Sequence, residues 1–138
     1  MKEFSDGHVY LLRFDRGEEV MTHLLAWARK AKLDGAFLSG LGAVVLPKLG
    51  YYDAHKKGYI EKEFEGEYEI ASLAGNLGWD AKEPLAHIHV VISGPNFIAF
   101  GGHLYSAVVS GTLEINVIPF GNKLARQYNE ELNLKLLD

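Results

Sequence analysis

Three histidines are spaced so that they can share one ion. His87 and His89 form a His-x-His pair, and His103 follows the double glycine Gly101-Gly102. Residues two apart on a strand point to the same face, so His87 and His89 project together while Ile88, Val90 and Ile92 supply the buried side. Gly94-Pro95-Asn96 is a turn signal between two apolar runs. A hairpin centred on Asn96 pairs residues whose numbers sum to roughly 192, which sets His103 opposite His89. Opposed residues have Cβ atoms about 5 Å apart, close enough to hold an ion between them. Gly101 and Gly102 remove side chains just before His103, so a ligand or another backbone can approach there.

Three imidazoles with one position open are the ligand set of a catalytic rather than a structural zinc site. Such an ion polarises a carbonyl or lowers the pKa of bound water toward about 7. The chain has no cysteine, so a transition-metal site must be built from histidine and oxygen ligands. Imidazole suits zinc, nickel, copper and iron alike. Two carboxylates are candidates to complete the site as fourth ligand or general base. Glu69 shares an alternating face with Ala71 and Leu73, and Glu114 shares one with Thr112 and Asn116. The same histidines also suit two other roles, packing within a subunit interface or acting as a proton-sensitive pair. His8, His23 and His55 read as a strand start, a helix surface and a turn.

The elements that position these residues follow from periodicity. His8 to Phe14 reads as a first strand. Asp15-Arg16-Gly17 turns the chain into a helix over Glu18 to Lys32, with Val20, Leu24, Trp27 or Ala28 and Ala31 on one face. Acids at its start and Arg29, Lys30 and Lys32 at its end match the helix dipole. From Gly35 to about Ile118 the pattern is strand and turn: Ala36 to Val45, Leu46 to Asp53, Tyr59 to Phe64, Glu67 to Gly75, Leu85 to Ser93, Phe97 to Val109 and Thr112 to Pro119. Asn76 to Pro84 reads as a polar loop. Leu124, Tyr128 and Leu132, four apart, predict a helix from Gly121 to the end. The expectation is one α+β domain on a mostly antiparallel sheet, with one helix after the first strand and a C-terminal helix.

Bulk properties narrow the function. A chain of 138 residues, 48% of them hydrophobic, has the size and composition of one folded domain. No apolar run approaches the roughly 18 to 20 residues that cross a bilayer, and the first residues lack the apolar core of a signal peptide. With no cysteines, these features set the expectation of a cytoplasmic protein without a membrane partner. The formal charge is −4 and the basic residues are scattered. A nucleic-acid-binding domain ordinarily carries a basic stripe, so the balance disfavours DNA as a partner. Ser39-Gly40-Leu41-Gly42-Ala43 resembles part of a phosphate loop, but no Lys-Ser/Thr follows, and tight sheet packing or a bulge is the better account. Tyr51-Tyr52-Asp53 reads as an exposed strand end.

Gly40-Leu41-Gly42-Ala43-Val44, Leu49-Gly50-Tyr51-Tyr52-Asp53 and the run from Phe64 to Asn76 (FEGEYEIASLAGN) resemble signatures of the plants-and-prokaryotes-conserved domain, PPC. His87-Ile88-His89-Val90, Gly101-Gly102-His103-Leu104 and Thr112-Leu113-Glu114-Ile115 are similar to its remaining motifs. The match runs in order from about Arg13 to Ile118; each motif is short, and the set is specific. The resemblance implies a compact α+β homotrimer, and a fold similar to that of acetolactate decarboxylase, an enzyme with zinc on three histidines and a carboxylate. It implies zinc on His87, His89 and His103, as in some prokaryotic members. It also implies kinship with plant proteins that bind DNA through AT-hooks, but this chain has no Arg-Gly-Arg-Pro hook. Three functions stand open from sequence: a trimeric metal site acting on a small carbonyl or carboxylate ligand, a DNA-associated regulatory module, and a scaffold whose trimer is its function.

Overall fold

Alternating apolar residues build the sheet, and one amphipathic stretch builds the helix. The computed structural model describes all 138 residues. In chain order the elements are β1 (Lys2–Ser5), β2 (Tyr10–Asp15), α1 (Val20–Ala31), β3 (Ala36–Asp53), β4 (Gly58–Glu63), β5 (Glu67–Asp80), β6 (Glu83–Ser93), β7 (Ala99–Pro119), β8 (Arg126–Asn129) and β9 (Leu134–Leu137). Seven strands form one antiparallel sheet in the order β1-β2-β7-β6-β5-β3-β4, and β8 pairs with β9 separately. Because β3 also pairs with β7, the strands β7, β6, β5 and β3 close into a ring. Closure pairs both sides of the ring strands and leaves only the short strands β1 and β4 as edges of the sheet.

One hydrophobic cluster of 23 residues fills the interior. Ile88, Val90 and Ile92 of β6 and Leu113, Ile115 and Val117 of β7 enter it at every second position, as the alternation requires. The helix contributes Val20, Leu24, Trp27 and Ala28. Burying a large aliphatic or aromatic side chain stabilises the fold by about 1.5–3 kcal/mol, so this face of β6 is held firmly in place. The opposite face carries the histidines.

The helix ends where the charge pattern predicts. The Glu19 carboxylate caps its N-terminus, accepting from the Met21 and Thr22 amides at 3.2 and 2.6 Å, and also accepts from the Ala107 amide of β7 at 3.3 Å. Lys32 closes the other end in a left-handed conformation at φ 52°. Burial raises the Glu19 pKa, but the amide hydrogen bonds outweigh it and leave the carboxyl below its ordinary 4.5. Its contribution is therefore present above pH 4.5 and is lost as pH falls through the lower folded value. Glu19→Ala is expected to cost about 1 kcal/mol at pH 7 in denaturant melts. That difference from the parent should shrink progressively below pH 4.5.

Three expectations need correction. A short strand, β1, pairs with β2 ahead of the helix, so α1 follows the second strand. The segment expected as a loop from Asn76 is strand as far as Asp80, and only Ala81 and Lys82 turn the chain. Leu77, 3% exposed, anchors it in the core. The C-terminal helix does not form: residues 126–137 make the β8–β9 hairpin. Leu124 has its amide bonded to the Asp34 carbonyl at 3.0 Å and its own carbonyl bonded by the Trp79 amide at 2.8 Å. A helix from Gly121 would need the Leu124 carbonyl for the Tyr128 amide, but Trp79 takes that carbonyl and Asp34 holds the amide, so long-range contacts win. Sequence runs split at Leu46 and Ser110 are continuous in β3 and β7, with register shifts instead of breaks. No helix is long and apolar enough to cross a membrane.

Candidate metal centre

The expected register is observed: His89 lies opposite His103, and Ala99 opposite Ser93, across the β6–β7 hairpin. His87 sits one repeat further along β6, opposite Asn76 of β5. The ring centroids are 5.1 Å apart for His87 and His89, 5.2 Å for His87 and His103, and 5.7 Å for His89 and His103. One ligating nitrogen from each ring lies within 4.8 Å of the others. Metal–nitrogen bonds of about 2.0–2.1 Å place tetrahedral donors about 3.4 Å apart, so adjustments of roughly an ångström bring the three to one ion.

Close backbone packing fixes these positions. A Cβ on Gly75 would lie inside contact distance of the His87 carbonyl oxygen and 2.9 Å from Ile88 Cα. A Cβ on Gly102 would sit 2.8 Å from the Gly50 carbonyl oxygen, so this glycine admits another backbone, as its place before His103 suggests. Gly50 in turn leaves room for the rings of Tyr59 and Tyr105. Both pack on His103, with centroids 5.2 and 5.0 Å away.

Burial and nearby positive charge favour the neutral form of His87 and His103. His103 is half-buried, and burial pulls its pKa down to about 4, with His87, His89 and Arg126 pushing the same way. Burial also lowers His87, again helped by Arg126 and His89. His89 is the exposed member. His103 Nδ1 is buried and has no hydrogen-bond partner. An unpaired polar atom inside a protein costs about 1–3 kcal/mol. Neutral imidazoles are the ligating form, so this donor set fits a divalent transition ion.

The two carboxylate candidates stand elsewhere. Glu69 is exposed rather than turned inward, because a register shift between Ile70 and Ser72 puts Leu73 on the core side without it. It is five residues along β5 from Ala74, the partner of His89, or about 16 Å at strand rise, and it borders a separate cleft with Glu65 and Glu67. Glu114 pairs with Arg13 of β2 and Leu41 of β3, outside the histidine cluster. His8, His23 and His55 are outside it too. Gly40 and Gly42 flank a register shift in β3, the bulge expected from their spacing.

Sequence reasoning missed Asn76, Tyr59 and Arg126. These residues line a cleft of about 470 Å³ with His87, His103 and the β8–β9 hairpin. The hairpin is tied down beside the histidines. Tyr52 donates its hydroxyl to the Leu132 carbonyl at 2.5 Å, Asn133 donates to the Lys57 carbonyl at 3.1 Å, and Lys135 pairs with Asp80. The alternation Leu132, Leu134, Leu136 was the available signal for its second strand.

The family model described as the Plants and Prokaryotes Conserved (PCC) domain matches residues 1–121. Among solved structures, the chain is similar to a plant- and prokaryote-conserved (PPC) protein from Pyrococcus horikoshii, with a TM-score of 0.88 and 32% identity over 96% of this chain and 92% of that one. It is similar to a metal-containing protein from Archaeoglobus fulgidus, with a TM-score of 0.88 and 36% identity over 99% of each chain. A Bacteroides thetaiotaomicron protein provisionally described as DNA-binding superposes with a TM-score of 0.95 at 26% identity, over 99% of this chain and 96% of that one. No curated protein matches the chain.

Proposed function

This chain belongs to the Plants and Prokaryotes Conserved domain family, and from that premise we propose that it holds a divalent transition metal, zinc foremost, on His87, His89 and His103. The observation that carries the reading is the convergence of three imidazoles within 4.8 Å with a buried, unpartnered nitrogen among them. The metal-containing relative from Archaeoglobus fulgidus supports it. No carboxylate joins the cluster, which leaves one position open to a small carbonyl or carboxylate ligand. When bound, the ion supplies Lewis acidity at that position. The chain's own part is to present three imidazoles, with His87 and His103 held toward the neutral form by burial, hold their spacing through the β5–β6–β7 register, and wall one side with Tyr59 and Tyr105.

Zinc titration of metal-stripped protein, purified without a polyhistidine tag, tests this reading. The expected result is one ion per chain with a dissociation constant below about 1 μM, or more than about 8 kcal/mol of binding free energy. A flat calorimetric trace, or binding that His89→Ala leaves unchanged, would sink it.

A trimer belongs to the same proposal. Phe37 and Ile118 are opposed across β3 and β7 and are 51% and 49% exposed, with Leu41 at 58% nearby on β3. Apolar surface of this kind suits contact between copies. The named relatives include no acetolactate decarboxylase, and that fold likeness carries no part of the reading.

The second reading, DNA binding, is favoured by the description of the Bacteroides relative and opposed by a formal charge of −4. Duplex DNA is expected to show no retardation by micromolar protein at about 150 mM salt. Retardation that weakens steeply with added salt would favour the DNA reading.

A further inference from the structure

The cleft beside the histidines contains a cation without a counter-ion. Arg126 is partly buried and forms none of the ion pairs in the protein. Its two terminal nitrogens donate to neutral acceptors, the Lys135 carbonyl at 2.9 Å and Asn76 Oδ1 at 2.6 Å. Its Nε is buried with no partner. Asp80, the acid reaching toward the hairpin, is engaged by Lys135. A guanidinium taken out of water is ordinarily paired with an anion, because desolvation without a partner is costly.

Nothing in the protein supplies that anion, and the space beside it is open. The cleft of about 470 Å³ is lined by Arg126, His87 and His103 and by the aliphatic side chains of Leu85, Leu134 and Leu136. That volume is in the usual range for small-molecule sites, about 300–1,000 Å³. The planar guanidinium matches a carboxylate, and the aliphatic wall favours a ligand with a hydrocarbon body over a fully hydrated inorganic anion.

We propose that this cleft binds a small aliphatic carboxylate, its carboxylate held by Arg126 and its second oxygen donor turned toward the histidine cluster. The second contact rests on the metal reading above; the first does not. The β8–β9 hairpin is then a wall of the ligand site, and it lies beyond the residues that the family model matches.

Calorimetric titration of the full chain, metal-free and zinc-loaded, with lactate, lactamide and inorganic phosphate tests the assignment. Lactate and lactamide differ in charge but keep the same body and hydroxyl. Lactate is expected to bind both forms of the protein, more tightly when zinc is present. Lactamide should bind at least about tenfold more weakly, the difference a charge-assisted hydrogen bond makes. Arg126→Lys keeps the charge and should keep part of the preference, whereas Arg126→Gln should erase it; melting curves check that both variants fold.

Equal binding of lactate and lactamide overturns the proposal, as does a preference that survives Arg126→Gln or is lost equally in Arg126→Lys. Absence of lactate binding at about 10 mM, far weaker than ordinary small-ligand affinities, also overturns it. Tighter binding of phosphate than lactate would reject the carboxylate class. Failure to load zinc, with the lactate preference intact in metal-free protein, would reject the metal reading and leave this one standing.

Discussion

Replacing His103 by alanine is expected to weaken zinc binding by more than about a hundredfold, the upper end of what losing an outer hydrogen-bond partner of a metal ligand costs. His103 is the imidazole that β7 contributes to the cluster, and removing it leaves two donors on β6. The effect on the metal-free protein should be far smaller. Alanine relieves a buried nitrogen without a partner, worth about 1–3 kcal/mol. It also gives up the ring contacts with Tyr59 and Tyr105, each worth about 0.5–1.5 kcal/mol by analogy with aromatic pairs. The two effects nearly cancel, so the melting temperature of metal-free His103→Ala should lie within a few degrees of the parent. Denaturant and thermal melts with and without zinc would check this. A packing role for His103 predicts the reverse, a large loss of stability without metal and no zinc-dependent difference.

Gly75→Ala should have the largest effect on the fold itself. The added methyl group would meet backbone atoms of His87 and Ile88 rather than the end of a flexible side chain. Relief therefore requires β5 and β6 to separate where Gly75 pairs with Ile88. Ile88 is fully buried, so the shift would disturb the core and the seat of His87 together. A loss of at least about 3 kcal/mol is expected, at or above the usual range for overpacking. For a chain of this size that corresponds to a fall in melting temperature of roughly 10 °C. Gly121→Ala is the matched control, since a Cβ there meets nothing within 4 Å. Equal melting temperatures for the two variants would contradict this account of the β5–β6 contact.

Period-two patterning made the site readable from sequence. In β6 the alternation of core and site residues is uninterrupted from Ala86 to Ile92, and a hairpin turn fixed the register with β7 to the residue. The helix was legible because its apolar stripe and its terminal charges agree on the same boundaries. The C-terminal segment failed for a physical reason. Leu124, Tyr128 and Leu132 have helical spacing, but the backbone of Leu124 is claimed by Asp34 and Trp79, some 90 and 45 residues away. Such long-range hydrogen bonding has no local signature. The same helical spacing puts Arg126 on a helix, whereas it lies in a strand and lines the histidine cleft.

Glu69 misled for a related reason. Strict alternation from Leu73 turns it inward, but the register shift beyond Ile70 resets the phase, and the side chain faces solvent. A bulge inverts every inference carried across it. The resemblance to the family was sound, since its motifs lie within the matched residues 1–121. The hairpin that walls the cleft lies outside that span, so no family motif locates it, and the four-residue spacing of Leu124, Tyr128 and Leu132 masks the alternation of Leu132, Leu134 and Leu136.

The central claim is that His87, His89 and His103 share one metal ion. Anomalous diffraction at the zinc edge, on crystals of untagged protein loaded with zinc and then dialysed, tests it most directly. The account predicts one strong peak per chain among the three imidazoles, about 2.0–2.1 Å from a nitrogen of each. No peak there, or zinc bound only at surface carboxylates while the three rings turn to other hydrogen-bond partners, would contradict it.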